Sequence, residues 1–217
     1  MSKFHTLFLD ANGRVYSCGH GKDGRLGHNN EEAYMLPTLI SSTSNDKCVY
    51  IGASSNNSYF VLQDGTVKSC GTNEFKQLGQ PGEQKCLTPK HFTMKTLKSV
   101  KIDKIECGRF HCALLSNEND VYTFGLNAGQ LGHPKEAQVT NIYVQEARLV
   151  KELAKLQLKF DLIACSDGAT ICLDQKSKRI VYLLNEYKCK RLPIAPDIIK
   201  KIRVKGDKLD YQVNSEF

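Results

Sequence analysis

The stretch RVYSCGHGKDGRLGH, Arg14 to His28, recurs as TVKSCGTNEFKQLGQ at Thr66 to Gln80 and as DVYTFGLNAGQLGH at Asp120 to His133. The marker residues Val15, Val67 and Val121 stand 52 and then 54 positions apart, and the pairs Leu26-Gly27, Leu78-Gly79 and Leu131-Gly132 advance with them. A fixed period of that size means stacked supersecondary units, each too small to bury its apolar face alone. The meaning of any residue is then sought first in its counterparts one period away.

Each copy reads alike. A short alternating run (HTLFLD, SYFVLQ, HCALLS) reaches a turn, and a second run follows at once (RVYSCG, TVKSCG, DVYTFG). Alternation on either side of Asn12-Gly13 and Asp64-Gly65 predicts a β-hairpin closed by a tight primed turn, because those residues tolerate positive φ. The third copy, with Asn117 to Asp120 between its runs, predicts a looser turn. A glycine-rich loop, the Leu-Gly pair and a proline-led strand follow, PTLI from Pro37 and PKHF from Pro89. That makes about four short strands per copy, the content of one propeller blade.

The first copy lacks the strand that opens the others at Ile51 to Ser54 and Ile105 to Gly108, which leaves an edge to be covered. Residues 41–50 read as a polar loop between blades and Lys95 to Lys104 as an exposed connection. Leu149, Leu153 and Leu156 at helical spacing predict one or two helical turns beyond Val150. A worn fourth copy follows, with strands at Ile163 to Ser166, Thr170 to Leu173 and Val181 to Leu184. In it Leu192 falls where Leu26 would, and Pro193 replaces the paired glycine. Ile202 to Gly206 read as the start of a fifth copy. The chain divides accordingly into residues 1–50, 51–104, 105–160, 161–201 and 202–217. The expected fold class is all-β, a partial β-propeller of about four blades.

Nine cysteines raise the question of a disulfide framework. The repeat answers it: Cys18 and Cys70 share a position with Phe124, and Cys107 and Cys165 share one with Ala53. Positions that accept Cys, Ala or Phe are apolar packing sites, where free cysteine acts as a small hydrophobe. Cys107 and Cys112 flank His111, yet no second pair stands at zinc-finger spacing, so no metal site is expected. An odd cysteine count and an N-terminus without signal-peptide order point to reduced thiols and a cytoplasmic or nuclear setting. No run approaches eighteen consecutive apolar residues, so no membrane span is expected.

Net charge is +7. Much of it lies late, at Lys188, Lys190, Arg191, Lys200, Lys201, Arg203, Lys205 and Lys208. A solvated edge is the commoner meaning of such a run, and only Tyr187 and Tyr211 interleave with it, so nucleic acid is not the expected partner.

Gly19, Gly21 and Gly24 spell G-x-G-x-x-G after a predicted strand, the form of a dinucleotide fingerprint. The copies argue against it, since Gly21 aligns with Asn73 and Asn127, and Gly24 with Lys76 and Gly129. Gly or Asn at one position predicts a left-handed backbone there instead. His5 and His111 share a position with Ser58 and are expected to bond neighbouring backbone. Arg25, Gln77 and Gln130 share another, where their side chains can satisfy loop carbonyls. Leu26, Leu78 and Leu131 are expected to be buried plugs. No catalytic residue, cofactor site or small-molecule substrate is indicated.

The pattern G-R-V-Y-S-C-G-x-G-x-x-G-R-L-G-H, with C-G-x-x-H-x-x-L-L before the hairpin, resembles the regulator of chromosome condensation repeat family, strongly over residues 1–150 and weakly over 160–195. Complete members form seven-bladed propellers; about four copies here do not close such a ring, so the open blade faces are expected to associate with further repeats or another chain. Cys18 and Cys70 in place of the family's common tryptophan, with SDGAT at Ser166 to Thr170 and EYKCKRL at Glu186 to Leu192, resemble more narrowly a subfamily of tyrosine-kinase inhibitors that also carries ankyrin repeats and BTB domains. That resemblance implies a non-catalytic protein-binding role, in kinase down-regulation or as a substrate-adaptor scaffold for a cullin-type ubiquitin ligase, with a tyrosine kinase as partner. The alternative it implies is guanine-nucleotide exchange on a small GTPase with chromatin association. The candidate contact residues lie on the three exposed loops: His20, Lys22, Asp23 and Arg25; Thr72, Glu74, Lys76 and Gln77; Leu126 and Gln130.

Overall fold

The computed structural model describes residues 2–80, 84–134, 143–174, 180–192, 199–205 and 208–213, with backbone alone at 180, 181 and from 199 onward. The strands are β1 (His5–Leu9), β2 (Val15–Gly19) and β3 (Tyr34–Leu39); β4 (Cys48–Ala53), β5 (Asn57–Leu62), β6 (Val67–Thr72) and β7 (Lys85–His91); β8 (Ile102–Cys107), β9 (His111–Ser116), β10 (Val121–Leu126) and β11 (Tyr143–Leu149); β12 (Leu162–Cys165), β13 (Thr170–Asp174), β14 (Ile180–Asn185) and β15 (Lys188–Leu192); and β16 (Ile199–Lys205) with β17 (Lys208–Val213). Each group is one antiparallel meander, giving one sheet of three strands, three of four and a final ribbon of two. This is the partial propeller of about four blades that the repeat predicts, and the three-stranded first sheet lacks the opening strand as expected.

The strand openings lie a few residues earlier than the apolar runs suggest. β4 begins at Cys48, inside the stretch expected to be loop, and β8 begins at Ile102, because Cys48 and Ile102 are both buried. A single turn of helix, α1 (Lys151–Ala154), follows β11; Leu153 is buried beneath it, whereas Leu149 lies in β11.

The core lies between sheets. In β5 and β9 every residue is buried, and period-two alternation sends neighbours to opposite faces. Phe60 and Leu62 pack with Leu7, Val15 and Ile40 of the first sheet. Tyr59 and Val61 pack the other way, with Ile105, Leu114, Phe124 and Leu131 of the third. Ala113 and Leu115 turn to Ile163, Cys172 and Tyr182 of the fourth. Cys70 and Phe124, on one repeat position, are both fully buried, and all nine cysteines are free thiols.

The hairpin turns differ from the primed geometry expected. Gly13 and Gly65 have φ of 84° and 86°, but Asn12 and Asp64 before them do not enter the positive-φ region that a type I′ turn demands of both central residues. Gly13 N donates to Asp10 O and Asp10 N to Arg14 O; Leu62, Gly65 and Thr66 repeat the pattern. The third turn is no looser. Asn119, with φ of 65°, takes the glycine's place, its N–H donating to Ser116 O while Ser116 N donates to Asp120 O. Asparagine tolerates the left-handed region well enough to keep the turn.

The long loop after β2, β6 and β10 is held identically three times. Ser17, Ser69 and Thr123 donate their buried hydroxyls to the carbonyls of Leu26, Leu78 and Leu131 at 2.8, 2.6 and 2.7 Å. Those leucines are the buried plugs expected. His28, Gln80 and His133 reach back to the same hydroxyls at 2.9, 3.0 and 3.0 Å. Besides Gly27, Gly79 and Gly132, a left-handed position shared by the three loops is that of Gly24, Lys76 and Gly129, with φ of 77°, 59° and 108°. It is not that of Gly21, whose φ is −88°. Gly21 is needed for another reason, since a Cβ there would meet the Glu32 carbonyl oxygen at 1.8 Å. Its counterpart Asn73 is a staple, accepting from Leu78 N and donating to Gln80 O.

In the fourth sheet the loop is gone. Asn185 pairs with Lys188 across a two-residue turn in which Glu186 and Tyr187 both have positive φ, 49° and 59°, a type I′ hairpin. Leu192 therefore pairs with Val181 in β15 and is no plug. Beyond it, Ile202 to Lys205 lie in β16, the first strand of the final ribbon, which starts at Ile199 as β4 and β8 start ahead of Ile51 and Ile105; Gly206 lies outside the described residues.

Candidate partner-binding cleft

The turns that join the first two strands of the second, third and fourth sheets converge at one end of the stack. They are Ser55-Asn56 between β4 and β5, Arg109-Phe110 between β8 and β9, and Asp167 between β12 and β13, while Lys3-Phe4 lead into β1 at the corresponding place. Together with His20, Lys22, Asp23 and Arg25 of the first long loop they line a cleft of about 530 Å³.

Directly below lie the openings of the following strands. His5, Asn57 and His111 share one repeat position, opposite Gly19, Gly71 and Gly125, whereas Ser58 and Thr170 stand one residue further on, so Ser58 is not the counterpart of the two histidines that the sequence suggested. His5 Nε2 meets Ser58 Oγ at 2.8 Å and His111 Nε2 meets Thr170 Oγ1 at 3.0 Å. Each histidine thus bonds a hydroxyl of the next sheet, one residue beyond its own counterpart there, and not the neighbouring backbone expected from the sequence. Ser58 Oγ passes its own proton to Arg25 O at 2.6 Å. Burial holds both imidazoles neutral, lowering His5 to about 4, with Arg25 adding to the effect, and His111 to about 3. Between the second and third sheets the link is Tyr50 Oη to Glu106 Oε1 at 2.6 Å, and burial raises that carboxyl above its ordinary range.

Of the ten loop residues singled out from the sequence, four are buried, and of these Arg25 alone still borders the cleft. Arg25 is 3% exposed; its Nε donates to Lys22 O at 2.8 Å and its Nη1 to Ser55 O at 3.0 Å, tying the first loop to the second sheet. Gln77 and Gln130, at 1% each, accept from Phe75 N and Ala128 N at 2.8 Å, and Gln130 Nε2 also donates to Leu126 O. Thr72 is buried too, its carbonyl taking Asn57 Nδ2 at 2.6 Å. Capping loop carbonyls, the role the shared position suggested, holds for Arg25 and Gln130; buried Gln77 only accepts from Phe75 N, and its Nε2 makes no hydrogen bond among the described residues.

His20 and Lys22 are exposed and Asp23 is half-buried, all three in the cleft. Glu74 is exposed, and Lys76 and Leu126 are half-buried, but none of these lines it. The cleft residues not singled out were Lys3, Phe4, Ser55, Asn56, Arg109, Phe110 and Asp167. Their signal was available: Lys3, Ser55, Arg109 and Asp167 occupy one repeat position with four different side chains, two residues ahead of His5, Asn57, His111 and Ala169.

The cleft is basic and partly aromatic. The Arg25 guanidinium carbon lies 5.2 Å from the Phe4 ring centroid, with Lys3 Nζ at 5.4 Å from the same ring. Arg109 lies 4.9 Å over Phe110, whose ring is also 4.9 Å from that of Phe75. Among the described residues no cluster of three or more metal-ligating side chains occurs, and no helix is long and apolar enough to cross a membrane. The basic run from Lys188 is described through Leu192, where Lys188, Lys190 and Arg191 are exposed; the side chains of Lys200, Lys201, Arg203, Lys205 and Lys208 lie outside the described set.

The model of the regulator of chromosome condensation repeat matches residues 12–61 and 64–115, and a second model of the same repeat matches 102–130. The chain belongs to the regulator of chromosome condensation repeat family. It is 37% identical over 217 residues to mouse inhibitor of Bruton tyrosine kinase and 36% to the human protein, covering all of this chain and 16% of each relative's length. To the human E3 ubiquitin-protein ligase HERC2 it is 31% identical over 172 residues, 78% of this chain and 3% of that one. Among solved structures, human WBSCR16 superposes with a TM-score of 0.82 at 20% identity, covering 99% of this chain and 57% of that one. Yeast RCC1 (Prp20), solved with Kap60, gives 0.76 at 21%, covering 94% and 51%. The structural likenesses establish the propeller fold; the resemblance to kinase inhibitors rests on sequence.

Proposed function

We propose that this chain is a non-catalytic protein-binding propeller segment that acts, like the inhibitors it resembles, on a tyrosine kinase in the cytoplasm. The observation that carries the reading is the contrast between two adjacent layers of the repeat. Ser17, Ser69 and Thr123, the plug leucines and the His-to-hydroxyl links recur because they build the sheets. The turn residues above them, Lys3, Ser55, Arg109 and Asp167, vary from copy to copy and reach solvent in a shared cleft, as recognition residues on a rigid scaffold do. A role in delivering substrates to a ubiquitin ligase would depend on further domains of the kind that the much longer relatives have room for. The test is a binding titration of the purified chain against Bruton tyrosine kinase, comparing the unaltered chain with Lys22→Glu/Arg109→Glu. Loss of saturable binding in the variant with an unchanged melting temperature is expected. Equal binding by both would remove the cleft from the contact, and absence of binding to the kinase would remove the kinase.

A further inference from the structure

We infer that the cleft takes a short acidic peptide segment, with a carboxylate of the segment engaging Arg109 and others engaging Lys3 and Lys22. The inference rests on the protein-binding reading above and adds the chemistry of what is bound. Four basic side chains, Lys3, Lys22, Arg25 and Arg109, face two carboxylates, Asp23 and Asp167, in one concavity whose volume suits a few residues of chain. Arg25 is already engaged, by Lys22 O, by Ser55 O and by Asp23, whose Oδ2 lies 3.5 Å from Nη2. Arg109 is different. It is exposed, it rests on the Phe110 ring, and it makes no ion pair among the described residues. A guanidinium laid flat on an aromatic ring keeps its planar fork free to take a carboxylate through two parallel bonds.

The same geometry disfavours single-stranded nucleic acid. Binding of that kind needs aromatic faces on which bases stack, and here those faces are occupied. Phe4 carries Arg25 and Lys3, and Phe110 lies against Arg109 and Phe75. Asp23 and Asp167 would also oppose an unbroken row of phosphates. A peptide meets the cleft better, because its carboxylates are separated and its backbone N–H groups can donate to Asp167 and to the amide oxygen of Asn56. The exposed edge of Phe4, 43% accessible, offers an apolar contact beside them.

The experiment selects from a random displayed library of peptides about twelve residues long on the whole chain, counter-selecting on Arg109→Glu. Winners are then titrated by fluorescence anisotropy against the unaltered chain, Lys22→Glu, Arg109→Ala and Arg109→Glu. Winners enriched in Asp and Glu are expected, weakened about tenfold or more by Arg109→Glu and less by Arg109→Ala, and weakened severalfold by raised salt. Neutral or basic winners that still depend on residue 109 would overturn the acidic assignment and leave the protein-binding cleft standing. An absence of any peptide sensitive to residues 22 and 109 would overturn both. A single-stranded RNA of matched length binding more tightly than the acidic winners would also overturn the assignment, in favour of nucleic acid. Unchanged melting temperatures of the variants keep each result interpretable.

Discussion

Acidification should loosen the chain through His5 and His111, by an amount that follows from their burial. Both imidazoles are neutral in the folded chain, lowered to about 4 and about 3, whereas in the unfolded chain they return to about 6.5. A folded value below the unfolded one means that their contribution is fully present above pH 6.5 and is lost as pH falls toward those folded values. At about pH 5.5 the unfolded chain gains close to one proton per histidine and the folded chain almost none. That corresponds to about 1.4 kcal/mol each and about 3 kcal/mol together. The figure is insensitive to the folded values, since both lie well below 5.5. Glu106 works in the opposite direction: its raised carboxyl is protonated first in the folded state and restores some stability as pH falls. The comparison must therefore be between the unaltered chain and His5→Gln/His111→Gln, in which Glu106 is common to both. Glutamine can still bond the Ser58 and Thr170 hydroxyls but cannot titrate. Urea melts at about pH 7.5 and 5.5 should show the unaltered chain losing about 3 kcal/mol more than the double variant. Equal losses would show that the imidazoles are not held neutral between the sheets.

Leu78→Ala, removing a fully buried plug, should cost about 2 to 5 kcal/mol in urea denaturation, and a cost below about 1 would mean that the loop does not seal the sheet. At a left-handed loop position, Gly24→Ala should destabilise by about 1 to 3 kcal/mol, since φ is 77° and the new Cβ would lie 2.5 Å from Leu87 Cα. Lys76→Gly at the matching position should stabilise by about 1 kcal/mol by relieving φ of 59°; equal effects of the two would break the equivalence of the loops. Cys70, Cys107, Cys165 and Cys172, whose thiols burial pushes far up, should resist a thiol-specific reagent in the folded chain and react on unfolding. Thiol counting in urea should find all nine cysteines reactive, and a smaller count would reveal a disulfide.

The sheets were legible because apolar alternation, Leu-Gly pairs and cysteine-for-phenylalanine exchange all repeat with one period. Their inner logic was legible only in part. Ser17 and Leu26 recur together, nine residues apart in two copies and eight in the third, but nothing in a list of residues says that one hydroxyl holds the other's carbonyl. The turn geometry was misread because Asn12-Gly13 and Asp64-Gly65 fit a primed turn as well as one with a single left-handed residue, and the choice depends on strand register. Arg25, Gln77 and Gln130 look like surface residues by type. Their burial follows from how far each loop folds back over the next sheet, a tertiary fact. The cleft was missed for the converse reason: Lys3, Ser55, Arg109 and Asp167 differ so much that a search for repeated motifs passes over them, although difference at one repeat position is what a recognition surface needs. The fourth sheet shows the limit of alignment, since Glu186-Tyr187 replaces a whole loop with a two-residue turn.

A photo-crosslinking amino acid placed in turn at the four-sheet cleft, at Ser55, Arg109 and Asp167, and at the hairpin turns, at Asn12, Asp64 and Glu118, compares the two sets of turns directly. With the acidic peptide selected above, or with the kinase, adducts are expected at 55, 109 and 167 and none at 12, 64 and 118. Adducts confined to the hairpin turns would place recognition away from the cleft and contradict the account.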